Sequence, residues 1–149
     1  MFWLDEKSPS ALVPGKRPRT TLSPSLALKD GKPYMVFGTP GGDQQDQWST
    51  LMFLHHADHG MNLQEAIDCP AFHTDHFPSS FWPRSYLPKK VVLEGRFPVS
   101  TVTELKRRGH DIDVSEPWSE GRLTGASRDG AILKAAANAR GMQGYAAGR

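Results

Sequence analysis

From Leu22 onward the apolar and polar positions fall into a short-period pattern. Leu22, Leu26 and Leu28 lead to Lys29-Asp30-Gly31-Lys32, and Pro33-Tyr34-Met35-Val36-Phe37-Gly38 follows. Two apolar runs flanking an Asp-Gly pair, which tolerates positive φ, predict a β-hairpin. After Gly38-Thr39-Pro40-Gly41-Gly42 the period lengthens. Trp48, Leu51, Met52 and His55 take i, i+3, i+4, i+7 positions on one helical face. Asp43 is placed to cap that helix, the spacing carries it through about His59, and Gly60 stands where a C-terminal stop is expected. Asn62 opens a shorter helix from Leu63 to Asp68, with Glu65 in position to complete a capping box and Pro70 closing it.

Residues 71–90 are rich in aromatics and prolines and yield no clean assignment. Val91–Glu94 predicts a strand. Ser100 is placed to cap a helix through Arg108, with Val102 and Leu105 inward and Gly109 as its stop. Short strands are expected at Asp111–Val114, Leu123–Ser127 and Ala131–Ala136, with Asp129-Gly130 turning between the last two. Residues 1–19 read as an irregular connecting segment, because Pro9, Pro14, Gly15 and Pro18 break regular pairing over 5–19. The order of elements fits a layered α/β or α+β domain, not an alternating dinucleotide-binding unit.

Composition narrows the function classes. The 149 residues suffice for one domain with a core, and Gly (14) and Pro (12) are frequent enough to favour many turns over a helical bundle. Eighteen basic residues against sixteen acidic ones give no field that points to nucleic acid, and Lys16-Arg17-Pro18-Arg19 reads as a solvated basic run. Cys69 is the only cysteine, so no internal disulfide forms; between Asp68 and Pro70, with no base in evidence, it reads as a small buried core residue. No apolar run approaches the roughly 18 residues that span a bilayer. Met1-Phe2-Trp3-Leu4, followed at once by Asp5 and Glu6, has no signal-peptide layout and reads as a chain entered partway through.

The most informative stretch is Phe37-Gly38-Thr39-Pro40-Gly41-Gly42-Asp43. A strand ends, two glycines follow, and a helix begins. The first N–H groups of a helix lack internal partners, and glycine leaves them unscreened. Such a corner suits an anion, including the oxyanion of a tetrahedral acyl-transfer intermediate. On spacing alone a plain strand-to-helix turn is the commoner use of such a pair. The glycines are not spaced as a phosphate loop, and no Lys-Ser/Thr follows. His55, His56, Asp58, His59, His73, Asp75 and His76 include good metal ligands, but without a His-Glu-x-x-His pattern they read as ordinary helix and loop residues, and no cofactor is expected. Phe77, Phe81, Trp82 and Tyr86 read as cover for a core edge, with a ligand cleft as the sharper alternative.

Several of these stretches, taken in order, resemble gamma-glutamyltransferases. Pro14-Gly15-Lys16-Arg17-Pro18-Arg19-Thr20-Thr21-Leu22-Ser23-Pro24 is similar to the family's Lys-Arg-Pro-x-Ser-Ser-Met-Ser-Pro, and Gly38-Thr39-Pro40-Gly41-Gly42 to its Gly-Ser-Pro-Gly-Gly. Gly60-Met61-Asn62-Leu63-Gln64-Glu65-Ala66-Ile67, then Pro70 and Phe72-His73, resemble its Gly-Met-x-Leu-x-x-Ala helix and Pro-Arg-Phe-His, although Ala71 stands where arginine is common. Gly109-His110 and Asn138-Ala139-Arg140-Gly141-Met142-Gln143-Gly144 match its tail, so the resemblance runs from about residue 12 to the end.

The resemblance implies an α+β fold, part of the αββα four-layer sandwich of N-terminal-nucleophile hydrolases, truncated at its N-terminus. It also implies a precursor that cuts itself into large and small subunits. A threonine freed at the cut attacks the γ-glutamyl carbonyl, with its own α-amine as base, and the acyl group passes to water, an amino acid or a peptide. Gly41 and Gly42 take the place of the family's oxyanion donors, and Thr20 and Thr21 that of two serines gripping the substrate α-carboxylate. The nucleophile belongs upstream of Met1, so the chain alone is expected to be inactive. Its implied partners are the upstream part of the same precursor, including the large subunit, and a small γ-glutamyl compound, with no nucleic acid and no membrane span. Apolar surface is expected to be exposed where the upstream strands would pair. Met1-Phe2-Trp3-Leu4-Asp5 stands where the family has an acidic Asp-Asp-Phe stretch that binds the substrate amino group, which leaves open a related amidase or acylase of different acyl specificity. A non-catalytic structural or binding remnant of the fold is the remaining alternative. Family members are often periplasmic or extracellular, but nothing in the sequence selects a compartment.

Overall fold

The computed structural model describes residues 1–142 and 144–148. Residues 1–24 carry no regular strand or helix; one isolated bridge joins Trp3 to Ala11. The predicted hairpin follows as β1 (Ser25–Lys29) and β2 (Lys32–Gly38), paired antiparallel with an irregularity between Ala27 and Leu28. Asp30 and Gly31 form the two-residue turn, both at positive φ (52° and 73°), which matches the twist of the strands it joins.

The first helix, α1, spans Gln45–Ala57 and ends two residues before the expected limit near His59. A short 3-10 turn, Gly42–Gln44, precedes it, and the N-cap Gln44 makes no side-chain cap bond. Asp43 does not cap the helix, because its carboxylate is taken by Ser79 and Ser80 of a distant loop. The second helix, α2 (Leu63–Asp68), starts as expected. Asn62 Oδ1 accepts the Glu65 N–H at 2.9 Å, and Glu65 Oε2 accepts the Asn62 N–H at 2.9 Å. Asn62→Ala is expected to lower stability by about 1 kcal/mol, read as a lower urea midpoint; an unchanged midpoint would mean that tertiary packing alone sets this helix.

The aromatic stretch contains a strand the sequence pattern missed, β3 (Phe72–Thr74), which pairs antiparallel with β4 (Lys90–Glu94). β4 runs parallel to β5 (Asp111–Ser115), so a crossover is required, and α3 (Val99–Arg107) supplies it. Ser100 does not cap α3. Pro98 is the N-cap, its carbonyl accepts the Thr101 and Val102 N–H groups, and Ser100 falls inside the first turn. Val102 and Leu105 are half-buried. The chain closes with β6 (Thr124–Asp129) and β7 (Ile132–Ala137). Their turn is Gly130-Ala131, one residue later than expected, because Asp129 pairs with Ile132 in the ladder.

The four-stranded sheet has the order β1-β2-β6-β7, and the smaller sheet β3-β4-β5. Helices α1 and α2 pack on one face of the larger sheet. Met35, Trp48, Met52, Leu63, Ala66, Ile67, Leu123 and Ala136 form the core between them. The opposite face carries Leu26, Leu28, Val36 and Leu133, all exposed. A hollow of about 810 Å³ on that face is bordered by the sheet and by Ala146–Gly148. Cys69 is half-buried, not a core residue, and its Sγ lies 3.5 Å from Met61 Sδ.

A buried ionic knot ties the C-terminal segment to this framework. Arg140 donates to both carboxylate oxygens of Glu94 (2.8 and 2.9 Å) and to the carbonyls of Ile67 and Cys69 at the end of α2 (both 2.7 Å). Arg96 adds a 2.7 Å bond to the same carboxylate. Of the tail motif, Gln143 lies outside the described residues.

Candidate active site

The end of β2 and the start of α1 meet at the glycine pair. Thr39 fixes the approach: its hydroxyl donates to the Pro40 carbonyl (2.7 Å) and accepts the Arg122 N–H (3.0 Å). Gly41 and Gly42 both sit at positive φ (141° and 65°), the first in a region that side-chain-bearing residues rarely enter. The Gly41 carbonyl accepts the Gln44 N–H at 3.4 Å. The N–H groups of Gly41 and Gly42 donate to no partner among the described residues, and Gly41 is exposed. Two adjacent main-chain donors therefore stand unpaired at a strand-to-helix corner.

The floor beneath them is Trp48. A Cβ on Gly41 would fall inside the van der Waals envelope of the Trp48 ring, and one on Gly121 would meet the same ring at 3.4 Å. The indole is buried and meets His73 edge-on, with centroids 5.8 Å apart. His73 Nδ1 is 2.6 Å from Glu120 Oε2, and Glu120 Oε1 accepts the Ser115 hydroxyl at 3.2 Å. The α1 face read from sequence thus places one ring directly under the corner.

Beside the corner, the loop 77–87 is strapped down by Asp43. The Ser80 N–H donates to Asp43 Oδ2 at 2.7 Å, the Ser79 hydroxyl does so at 3.3 Å, and Arg19 donates to the Ser80 hydroxyl at 2.6 Å. Burial on its own would push the Asp43 carboxyl up, but hydrogen bonds from Ser80 and Ser79 and the Arg19 charge outweigh it and hold the group below its ordinary value.

Thr20 and Thr21 directly follow Arg19 in the chain. Thr20 is exposed and its Oγ1 accepts the Leu22 N–H at 3.1 Å, while Thr21 is half-buried. The Ser23 hydroxyl donates to Gln45 Oε1 at 3.1 Å, a second tie between this segment and α1. Phe77, Phe81, Trp82 and Tyr86 are exposed and cover no core edge. The first three border a cleft of about 440 Å³ shared with Arg19, Asp43 and Gln44.

Sequence reasoning missed Asp43 as a strap, Ser79 and Ser80 as its partners, and Trp48 as the floor. Only the three-dimensional approach of the 77–87 loop to the helix start reveals the first two. No group of three or more potential metal ligands occurs among the described residues, and none of their helices is long and apolar enough to cross a membrane.

The chain has counterparts among known proteins. The family described as Gamma-glutamyltranspeptidase matches residues 1–148. A glutathione hydrolase proenzyme of Pseudomonas sp. (strain A14) is 45% identical over 54% of the chain, and an oxamate amidohydrolase proenzyme of Klebsiella pneumoniae is 38% identical over 80%. The matched regions span 14% and 21% of those two relatives. The solved structure of LmbA2991HD is 55% identical with a TM-score of 0.92, covering 100% of this chain and 27% of its own. Solved gamma-glutamyltranspeptidases carry the same fold at TM-scores of 0.73 to 0.74. The fold is α+β, that of the small-subunit region of these N-terminal-nucleophile hydrolases.

Proposed function

The chain belongs to the gamma-glutamyltranspeptidase family, and from that premise we propose that it is the C-terminal portion of the small subunit of a threonine hydrolase acting on γ-glutamyl or related amides. The observation that carries this reading is the pair of unpartnered N–H groups at Gly41 and Gly42, held open over the Trp48 ring. In the proposed reaction a threonine hydroxyl attacks the amide carbonyl, and the two N–H groups receive the oxyanion. One such donor is worth about 10²–10³ in kcat. The hydroxyls of Thr20 and Thr21 grip the substrate α-carboxylate, each keeping a donor while adding a methyl that reshapes the grip. The acyl-enzyme then passes to water, an amino acid or a peptide.

The nucleophile comes from a part of the same precursor outside residues 1–149, and residues 1–149 alone are inactive. Neither Thr20 nor Thr21 replaces it, since neither has a free α-amine. The apolar outer face of the larger sheet, with Leu26, Val36 and Leu133 uncovered, offers a seat for that part of the precursor. A second reading keeps the chemistry and changes the acyl group. It is favoured by Met1-Phe2-Trp3-Leu4-Asp5 standing where the family has its acidic stretch, and by a relative that is an oxamate amidohydrolase.

The test uses the complete precursor after self-cleavage. It is expected to release a chromogenic amine from a γ-glutamyl anilide and to transfer the acyl group to a dipeptide. No turnover of that anilide with turnover of another acyl anilide selects the second reading. Turnover by residues 1–149 alone overturns the assignment of the nucleophile.

A further inference from the structure

We propose that Phe77, Phe81 and Trp82 form a subsite beside the glycine corner for an aromatic ring carried by the amide substrate. The proposal rests on the reading of Gly41 and Gly42 as oxyanion donors and adds the class of group held next to them.

Position is the first argument. The Phe81 ring lies against Gly42, where an added Cβ would come within 3.1 Å of Phe81 Cε2. A group bound on this ring is therefore bound next to the corner. Rigidity is the second. Besides the Asp43 and Arg19 bonds, Arg84 donates to the Ser80 carbonyl at 2.7 Å, the Ser79 N–H donates to the Ser85 carbonyl at 2.9 Å, and the Arg84 guanidinium stacks 3.6 Å above the Trp3 ring centroid. A loop tied at this many points has already lost its freedom, so its rings receive a ligand without further ordering. Exposure is the third. Trp82 is 82% exposed although its loop is fixed, and Phe77 and Phe81 are exposed beside it. A single exposed apolar side chain needs no account, but three aromatic rings on one loop, facing a common cleft, do.

The cleft supplies the ligand class. About 440 Å³ lies within the usual range of small-molecule sites and accommodates a ring with a polar substituent. Aromatic rings share its lining with Arg19, Asp43 and Gln44. Asp43 is already satisfied by Ser79 and Ser80, so the cleft does not demand a cation. The exposed rings of Phe77, Phe81 and Trp82 suit offset or edge-on packing with an aryl group, and the polar residues that share the lining suit a polar substituent on it. That group belongs to the acyl part or to the amine part of the amide, and the same rings would hold it in either case.

The test compares matched amides on the complete, self-cleaved enzyme. One series varies the amine between two alkylamine leaving groups (γ-glutamyl benzylamide against γ-glutamyl methylamide), and the other varies the acyl group (phenylacetyl anilide against acetyl anilide). A ring preference in kcat/KM is expected in one series, which identifies the part of the substrate held. Trp82→Ala and the milder Phe81→Leu should each shrink that preference by about 10-fold, the scale of one lost aromatic contact with its burial. No preference in either series, with turnover of the small amides, overturns the subsite and leaves the hydrolase reading standing. An unchanged preference in both variants also overturns it, as expected if the rings pack on another part of the precursor. Calorimetric titration of the precursor with phenylacetamide needs neither maturation nor turnover. Saturable binding lost in Trp82→Ala supports the subsite even if no amide is cleaved, and absence of binding overturns it.

Discussion

Gly41→Ala in the complete, self-cleaved enzyme is expected to lower kcat for amide cleavage by about 10²–10³-fold, the loss typical of one missing oxyanion donor. Two features of the corner work together here. Its φ of 141° is a backbone state that alanine enters only with strain. The added methyl would also strike the buried Trp48 ring, which cannot withdraw because Gly121 and His73 hold its other sides. The peptide must therefore rotate, and its N–H turns away from its present direction. Steady-state kinetics with a chromogenic amide read the effect, and a thermal melt separates it from unfolding. Gly38→Ala is the control, since a Cβ there meets nothing within 4 Å. Wild-type kcat in Gly41→Ala would remove this N–H from the mechanism.

How much of this was legible from residues alone depended on whether the signal was local. The Asp30-Gly31 turn, the Asn62–Glu65 capping box and the Trp48–Met52 face are written in adjacent or helix-spaced residues, and each has its expected place in the fold. The start of α1 was misread because Asp43 has two possible uses, capping its own helix or bonding Ser79 and Ser80 some 36 residues on, and only tertiary contact decides between them. Ser100 was a plausible cap until Pro98, with φ already near the helical value, began the helix earlier. β3 escaped notice because it has three residues, too few for a period. The glycine pair was legible as a corner, but nothing in a sequence says whether an N–H is paired. The openness of those two groups is visible only once β2, α1 and Trp48 are assembled.

Arg140→Met should cost about 3–5 kcal/mol, the usual penalty for leaving a buried charge without its partner. Glu94 is 0% and Arg140 2% exposed, so neither group has water to fall back on. The mutation strands the Glu94 carboxylate with Arg96 as its remaining guanidinium, and leaves the Ile67 and Cys69 carbonyls without the donor that closes α2. Replacing both partners, Arg140→Met with Glu94→Leu, should cost less than the sum of the single changes, because the fully buried guanidinium and carboxylate leave together and the cation that remains, Arg96, is only part-buried. The same pair sets an acid limit. Burial alone would push the Glu94 carboxyl up, but the Arg140 and Arg96 bonds and the Arg140 charge outweigh it and hold it below its ordinary value. Its contribution is complete above the unfolded carboxyl's value of about 4.3 and is lost as pH falls from there through the lower folded value. Urea midpoints measured from pH 7 down to about 3 should therefore fall more steeply for the native chain than for Glu94→Gln, which has no charge to neutralise. Parallel curves would mean that other carboxylates govern acid unfolding and that the knot contributes the same stability across this range.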